Sequence, residues 1–453
     1  MIPNDGWSRR LVVRLVVIVL FFLVLTSHAS GEWKEKVLYS FQGGANAGSV
    51  PAGGVVFDKQ GNLYGVTSDG GGVYQLKPPA KKGEGWAESV IYVFKGNTEG
   101  DGATPEGGLI IDSAGNLYGT TAYGGTGNCV LLGVLVGCGT VYELSPPAQN
   151  GATWNESVLY SFPTAKQGYF PWGSLAFDGT GNLYGATQYG GGNGTTCDAY
   201  YQYCGAVFEV SPPKTKGGKW TEKVLHGFRS GTDGANPNGG LVFDAKGNLY
   251  GTTFGGGYES GECGSGGCGT AFELQPPAQK GGAWREKILH GFKGGNDGER
   301  PAAGLVFDTK GHLYGTTLNG VAGGTVFSLA PPRKGSQSWE EAVLYGFNEN
   351  GGPFDPEGAL IFDQDGNLYG TTYVGNGGSL QGSVFQLKPP LGKKQDPWSL
   401  HIIHGFLGPP DGDFPAASLI FDSDGDLYST TQAGGVGTGC GHAGCGTVFE
   451  VSP

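Results

Sequence analysis

A pattern of fifteen residues recurs seven times between Gly53 and Thr431, and this repetition constrains the fold more than any other feature of the chain. The copy at residues 239–253, GGLVFDAKGNLYGTT, shows its parts. Two short β-branched and aromatic runs flank a turn, in which an Asp accepts backbone N–H groups and a Gly supplies a positive φ angle. The pattern therefore predicts an antiparallel hairpin in every repeat.

The turn keeps its Asp and its Gly in all seven copies: Asp58 and Gly61, Asp112 and Gly115, Asp178 and Gly181, Asp244 and Gly247, Asp308 and Gly311, Asp363 and Gly366, Asp422 and Gly425. A catalytic or metal-binding Asp is the alternative interpretation. Because one site needs one set of ligands whereas every hairpin needs a turn, the repetition favours a structural role.

Two of these turns resemble fragments of calcium loops, at residues 363–367 and 422–426. The candidate ligands would be Asp363, Asp365, Asp422, Asp424 and Asp426. Neither turn has the Glu that closes a calcium loop. Calcium at these turns is therefore a minor alternative, and no other cofactor is expected.

Two more strands follow each hairpin, and we call the four strands a, b, c and d in chain order. Strand c is typified by GTAFEL at residues 269–274, and strand d by WREKILHGF at 284–292, whose alternation is typical of a half-exposed outer strand. Repeats beginning near residues 33, 86, 154, 220, 284, 339 and 398 predict an all-β, seven-bladed β-propeller of four-stranded blades.

The order of strands at the two ends of the chain predicts how the ring closes. The first predicted strand, at residues 33–41, has the d pattern, and the last predicted strand, at 446–451, has the c pattern. We therefore expect the N-terminal strand to pair with the last blade, which leaves no exposed sheet edge at the seam.

Residues 1–29 are predicted to be a signal peptide. Three Arg residues precede an apolar run at 15–25, and the sequence SerHisAla at 27–29 offers a cleavage site. The run is short for a bilayer span, and no later segment is apolar enough to cross a membrane. Residues 30–453 are thus expected to form a single exported domain, extracellular, at the cell surface or in the periplasm, and monomeric. The net charge of −12 at pH 7 disfavours nucleic acid as a partner.

The eight cysteines fall into four pairs, each within one b–c loop: Cys129 with Cys138, Cys197 with Cys204, Cys263 with Cys268, and Cys440 with Cys445. An even count arranged loop by loop in an exported protein predicts local disulfides. Zinc is the alternative, but the loops lack a regular second pair of ligands.

The motif FDxxGNLYGTTxxGG followed by GTVFELxPP, seen at residues 243–256 and 269–277, resembles the GloVer (Gloeo_Verruco) repeat of the choice-of-anchor family. These are tandem-repeat proteins of the bacterial exterior, so the resemblance implies export, and it implies no particular activity. Members often end in an anchoring tail. This sequence departs from that feature, because Pro453 follows directly on the last predicted strand.

The b–c and d–a loops are expected on one face of the ring, which we call the top. Aromatic residues concentrate on the top of blades 2 and 3: Tyr123, Tyr169, Phe170, Trp172, Tyr189, Tyr200, Tyr201 and Tyr203. Trp172 is distinctive, since it alone among the tryptophans after the leader lies outside the start of a d strand. Rings beside carboxylates and amides suit the apolar faces of sugars, so an extracellular glycan or cell-envelope component is the predicted partner. A hydrophobic plug that closes an enlarged loop is the alternative.

Catalytic signals are weak, and three function classes stay open. A binding or surface-interaction module is favoured over an extracellular polysaccharide hydrolase or lyase and over a structural matrix component. An enzyme would use top-face carboxylates such as Asp233, Asp297 and Asp411, paired roughly 5 to 10 Å apart across the channel mouth. Three histidines share a d-strand position with the tyrosines of other repeats and are interpreted as packing residues: His226, His290 and His404.

Overall fold

The computed structural model describes residues 33–44, 48–81, 83–131, 133–149, 152–191, 204–258, 263–279, 281–320, 323–347, 352–375, 381–390, 392 and 397–453. The predicted signal peptide lies outside these ranges. Seven small antiparallel sheets form a ring, which confirms the predicted seven-bladed β-propeller. No described helix is both long enough and apolar enough to cross a bilayer.

Each blade runs a–b–c–d from the central channel to the rim. The a strands are Ser49–Phe57, Ile110–Ile111, Tyr169–Pro171 with Ala176–Phe177, Val242–Phe243, Val306–Phe307, Ile361–Phe362 and Ile420–Phe421. The b strands are Leu63–Asp69, Leu117–Thr121, Leu183–Tyr189, Leu249–Thr253, Leu313–Thr317, Leu368–Thr372 and Leu427–Thr431. The c strands are Gly72–Lys77, Thr140–Ser145, Ala206–Ser211, Thr270–Gln275, Thr325–Ala330, Ser383–Lys388 and Thr447–Ser452. The d strands of blades 1 to 6 are Ala87–Val93, Asn155–Ser161, Thr221–Gly227, Arg285–Gly291, Glu340–Gly346 and Ser399–Gly405.

Several short elements of secondary structure lie in the top loops. Three two-stranded ladders pair Gly102–Ala103 with Tyr123–Gly124, Val130–Leu131 with Val134–Leu135, and Gly412–Asp413 with Ala433–Gly434. Single 3₁₀ turns occur at Gly96–Glu99, Gly231–Asp233, Gly264–Gly266, Gly295–Asp297 and Gly441–Ala443.

The N-terminal strand closes the ring as predicted. Lys34–Ser40 is the d strand of blade 7 and pairs antiparallel with Thr447–Ser452, with Val37 opposite Phe449. The Phe41 N–H continues the pairing by donating to the Gly446 carbonyl at 3.0 Å. The first and last strands of the fold therefore share one sheet, and neither is an open edge at the seam.

The hairpin turn has the structural role that its repetition predicts. In blade 4, Asp244 Oδ1 accepts the backbone N–H groups of Lys246 and Asn248 at 2.8 and 2.9 Å. Its Oδ2 accepts from the Asn248 side chain at 2.8 Å and from the Tyr250 hydroxyl at 3.2 Å. Gly247 has a φ of 82°, which lets the chain turn back tightly. Both carboxylate oxygens are thus used within the turn.

The core lies between the blades and is repeated at all seven junctions. An aromatic ring at the end of each d strand contacts, edge to face, an aromatic ring of strand c in the next blade, as in Phe292 and Phe327 with centroids 5.0 Å apart. The tryptophan before strand d packs on the strand b tyrosine of the preceding blade, as in Trp339 and Tyr250 at 6.1 Å. This contact supports a packing role for the repeated tryptophans.

Candidate functional site: the mouth of the central channel

The predicted aromatic surface of blades 2 and 3 separates into two parts. Tyr169 and Phe170 are buried, with 7% and 4% of their surface exposed. Tyr123 and Tyr189 are half-buried against them, with ring centroids 4.6 and 5.3 Å from that of Phe170. These four rings form a local core, which is the geometry of the plug alternative. Tyr200, Tyr201 and Tyr203 lie outside the described residues.

Trp172 is different from its neighbours, because 37% of its surface is exposed and it lines the central channel. It follows Pro171, at the point where the chain leaves the top and enters the inner wall of blade 3. Only Pro171 separates it from buried Phe170, yet the two side chains lie in different environments. Of the described aromatic candidates, Trp172 alone lines the channel cavity.

The channel wall is made of one short segment from each blade, with the pattern Pro, a variable residue, and then two small residues. The cavity at its top has a volume of about 470 Å³. Adjacent segments approach so closely that a Cβ atom added to Gly173 would lie 2.7 Å from the Gly239 carbonyl oxygen. Small residues are therefore required along the wall. The variable position lines the cavity and differs from blade to blade: Ala52, Glu106, Trp172, Asn238, Ala302, Glu357 and Ala416.

The residue before each of these prolines has a positive φ between 54° and 58°, which is uncommon for residues with a side chain. The seven are Val50, Thr104, Phe170, Asn236, Arg300, Asp355 and Phe414. Phe170 shows one use of this conformation: its N–H donates to the Cys138 carbonyl of the preceding blade at 3.2 Å. Because this backbone geometry recurs at every junction, it is a means of locking adjacent blades together, and it brings the variable residue to the channel.

Two carboxylate residues, Glu106 and Glu357, and two amide residues, Asn238 and Gln432, share this cavity with Trp172. Glu106 and Glu357 are half-buried in its wall. Burial raises the pKa of Glu106 to about 7. Burial, and then the negative charge of Asp355, raise the pKa of Glu357 to about 7. The Oδ1 atom of Asn238 is buried and has no donor within the described part of the chain.

The catalytic candidates Asp233, Asp297 and Asp411 lie at three separate blade junctions, and none of them lines the channel cavity. Each pairs with the histidine seven residues before it: His226, His290 and His404, at 3.4, 3.1 and 3.2 Å. The three acids are therefore brought to histidines but not to one another. Their role in catalysis stays a prediction.

A glutamate from the next blade completes each of these groups. The sets are His226, Asp233 and Glu286; His290, Asp297 and Glu341; and His404, Asp411 and Glu35, and in each set the ligand atoms lie within 4.8 Å of one another. One imidazole nitrogen with two carboxylate oxygens is a ligand set that suits a divalent transition-metal ion. Burial, and then hydrogen bonding to Asp233 and its charge, raise the pKa of Glu286 to about 10.

Tyrosine takes the place of histidine at other junctions. The Tyr39 hydroxyl donates to Glu88 at 3.4 Å, and the Tyr160 hydroxyl donates to Glu222 at 3.3 Å. The histidines also keep the packing role predicted for them, since His290 contacts Phe292 edge to face at 4.9 Å, as Tyr160 contacts Phe162. The sequence interpretation captured this interchange but missed the acidic partners.

Three of the predicted disulfides are present: Cys129–Cys138, Cys263–Cys268 and Cys440–Cys445, with Cα atoms 5.0, 5.2 and 5.2 Å apart. Cys204 is also disulfide-bonded, and its predicted partner Cys197 lies outside the described residues. The second cysteine of a pair also contributes to the ring, because its carbonyl accepts a hydrogen bond from the next blade, as Cys268 does from the Arg300 N–H at 2.7 Å.

The calcium candidates are placed in hairpin turns on the opposite side of the blades from the channel mouth. Asp363 accepts from the Asn367 side chain and from the Tyr369 hydroxyl, and Asp422 accepts from two backbone N–H groups and the Tyr428 hydroxyl. Their oxygens are thus engaged in the turn. Asp365, Asp424 and Asp426 belong to none of the clusters of three potential metal ligands found among the described residues.

Sequence reasoning missed Glu106, Asn238 and Glu357. A sequence signal for these residues was available, because each of them directly follows the proline of its own wall segment, as Trp172 follows Pro171. A comparison of the seven copies at that single position would have placed all four side chains on one rim.

The comparisons with known proteins agree with the architecture. The Gloeobacter/Verrucomicrobia repeat matches residues 25–262, 132–337 and 260–453. No curated protein sequence matches the chain. Among solved structures, selenomethionine-substituted virginiamycin B lyase from Staphylococcus aureus has a TM-score of 0.50 at 12% identity, covering 93% of this chain and 100% of the lyase. The catalytically inactive form of that lyase with quinupristin has a TM-score of 0.51 at 13% identity, with the same coverage.

A PQQ-bound aldose sugar dehydrogenase from Streptomyces coelicolor has a TM-score of 0.42 at 14% identity, covering 93% of this chain and 98% of the enzyme. At such low identity, the likeness to the lyase shows a shared fold alone. The family match, by contrast, spans the whole described ring. The chain belongs to the Gloeobacter/Verrucomicrobia repeat family.

Proposed function

We propose that this protein is an exported binding module whose ligand site is the top mouth of the central channel, and that the ligand is a carbohydrate or a cell-envelope polymer. The observation that carries the proposal is the exposed indole of Trp172 in a cavity of about 470 Å³. That volume is within the range of about 300 to 1,000 Å³ that is usual for ligand sites.

The chemistry of the rim supports a sugar. An indole face covers the apolar C–H side of a pyranose ring, while carboxylates and amides bind its hydroxyl groups. Glu106, Asn238 and Glu357 supply such polar groups in the same cavity as Trp172. The disulfides and the family membership support export to an oxidising compartment, where polysaccharides are the abundant surface polymers.

The test is calorimetric titration with a panel of bacterial and plant oligosaccharides, followed by Trp172→Ala. We expect at least a tenfold loss of affinity, about 1.4 kcal/mol, with an unchanged melting temperature. Tyr258→Ala is the matched control, because Tyr258 is 56% exposed and does not line the cavity. Equal affinity of wild type and Trp172→Ala for a bound glycan would refute the channel mouth as the site.

A hydrolase or lyase is the second candidate, and one observation favours it. Glu106 and Glu357 line the same cavity, and each has a pKa raised to about 7, which suits a general acid or base near neutral pH. Mass spectrometry of each bound oligosaccharide after prolonged incubation separates this candidate from a binding module. Shortened products that disappear in Glu106→Gln would favour the enzyme, and an intact oligosaccharide would favour binding.

A further inference from the structure

The charged residues described at the channel mouth are all acidic. Glu106 and Glu357 are the charged residues that line the cavity, and none of the described lining residues is Lys, Arg or His. Arg300 is the basic residue nearest to this wall in sequence. Its guanidinium group lies 5.7 Å from the ring centroid of Phe254, which lines the cavity, and Arg300 itself is not a lining residue. Within the described part of the chain, neither glutamate makes a hydrogen bond or an ion pair.

The polar groups of the rim favour a positively charged ligand. Ionised carboxylates only accept hydrogen bonds. A carboxylate removed from water is destabilised unless a positive charge compensates it, and none of the described lining residues supplies one. The two glutamates therefore lack a counter-charge within the lining of the cavity.

Trp172 favours the same kind of ligand. An indole face attracts cations through its quadrupole, in addition to its affinity for C–H groups. A sugar that carries an ammonium group would match the two carboxylates and the indole, since it offers N–H donors, a positive charge and an apolar ring face.

We infer that the preferred ligand of the channel mouth is an amino sugar with a free, protonated amine, held by Glu106 and Glu357 beside Trp172. This inference rests on the proposed function and narrows its ligand class. A neutral sugar would leave both carboxylates without a counter-charge. An acidic sugar would add a third negative charge to the rim and is expected to be excluded.

The experiment compares three tetrasaccharides that share a β-1,4 linkage and differ only at carbon 2: glucosamine, N-acetylglucosamine and glucose. Calorimetric titration at pH 7 in low salt is expected to show at least tenfold tighter binding of the glucosamine oligomer. The double variant Glu106→Gln with Glu357→Gln is expected to remove that preference, while Trp172→Ala weakens all three oligomers. A rise in salt should reduce the preference, because the pairing is ionic.

Non-specific attraction to a chain with a net charge of −12 is the main competing explanation. The control variant Asp365→Asn with Asp424→Asn removes the same number of carboxylates from exposed turns, and it should leave the glucosamine preference intact. A preference that falls equally in both double variants would overturn the inference.

The remaining outcomes distinguish the inference from the proposed function. Equal, Trp172-dependent binding of all three oligomers would overturn the amine preference and leave the glycan module standing. Equal binding of lysine tetrapeptide and the glucosamine oligomer would retain the amine and refute a sugar-specific site. Binding of none of these probes would overturn the inference, and the wider oligosaccharide panel would then decide the proposed function.

Discussion

The channel mouth and the blade junctions are built from the same seven repeats. The repeats differ in their residues at the channel mouth, but they agree in their contacts at the blade junctions. At the junctions, every blade contributes an aromatic contact to its neighbour, as Phe292 does to Phe327. Backbone hydrogen bonds also cross the junctions, as from the Arg300 N–H to the Cys268 carbonyl. At the mouth, the residue after the proline varies from Ala52 to Trp172. Closure of the ring therefore constrains the residues at the junctions more than the residue at the mouth.

The two regions come closest in the segment Phe170–Pro171–Trp172. Phe170 belongs to the junction, where its N–H donates to Cys138 and its ring is buried with Tyr169. Trp172 belongs to the mouth. A stack of Tyr373 on Phe414 at 4.7 Å between blades 6 and 7 shows that an aromatic residue before the wall proline is also a packing element elsewhere. Aromatic content alone therefore does not identify a binding surface.

The largest expected effect comes from breaking a junction outright. Deletion of residues 33–41 removes the d strand of blade 7 and exposes the edge of Thr447–Ser452. We expect loss of cooperative unfolding, or aggregation, because the seam no longer closes the ring. Differential scanning calorimetry with light scattering measures this result. A control deletion of the exposed hairpin at 130–135 should change the melting temperature little, and equal melting of both deletions would contradict closure by the N-terminal strand.

The next prediction compares Phe170 and Trp172, which lie in the same segment but in different environments. Phe170→Ala should lower the free energy of unfolding by about 3 kcal/mol, because it leaves a cavity in a packed aromatic core. Trp172→Ala should change it by less than about 1 kcal/mol, since the indole is partly exposed in the channel. Urea denaturation gives both values. A larger loss for Trp172→Ala than for Phe170→Ala would mean that the indole is part of the core and would remove the main support for the binding site.

A smaller effect is expected from opening a single loop disulfide. Cys263→Ser with Cys268→Ser should lower the free energy of unfolding by about 2 kcal/mol, the value for closure of a short loop. Hydrogen exchange should increase in this loop and at the Arg300 amide, whose acceptor is the Cys268 carbonyl. Affinity at the channel mouth should be unchanged. Increased exchange throughout the strand ladders would contradict a local role for the bridge.

The smallest effect concerns the carboxylates and their dependence on pH. The pKa values of Glu106 and Glu357 are raised from 4.5 to about 7, so their contribution to stability is complete below pH 4.5 and is lost as the pH rises through 7. The double variant Glu106→Gln with Glu357→Gln cannot ionise at these two positions, so it does not lose this stability as the pH rises. The variant should therefore gain stability relative to wild type between pH 4.5 and 7, by about 1 kcal/mol after allowance for water in the channel, and the gain should level off above pH 7.

Glu286→Gln tests a carboxylate at a blade junction in the same way. The pKa of Glu286 is raised to about 10, so the stability difference between this variant and wild type should continue to grow above pH 7. Thermal unfolding from pH 4 to 9 distinguishes the two profiles. If both differences level off at the same pH, the carboxylates of the mouth and of the junction are not held in different environments.

The features that repeat could be predicted from the amino-acid sequence alone. The Asp–Gly turns, the strand order, the closure by the N-terminal strand and the pairing of Cys129, Cys263 and Cys440 within their loops depend on local chemistry and on a count of repeats, and the structure confirms them. Such features depend on residues that are near one another in the chain, or on a pattern that seven copies establish. Repetition makes the signal strong.

Which side chains line the same cavity depends on the tertiary structure. Glu106, Trp172, Asn238 and Glu357 come from four blades and meet because the ring brings the start of every inner segment to one rim. The same ring places Asp233, Asp297 and Asp411 at separate junctions and buries Phe170, although all of them are top-loop residues in the sequence. Hydropathy does not distinguish a wall residue from a junction residue, and the position after each wall proline identifies the wall residues only once the seven copies are compared at that position. That difference is set by the closed ring, which brings together residues from distant parts of the chain.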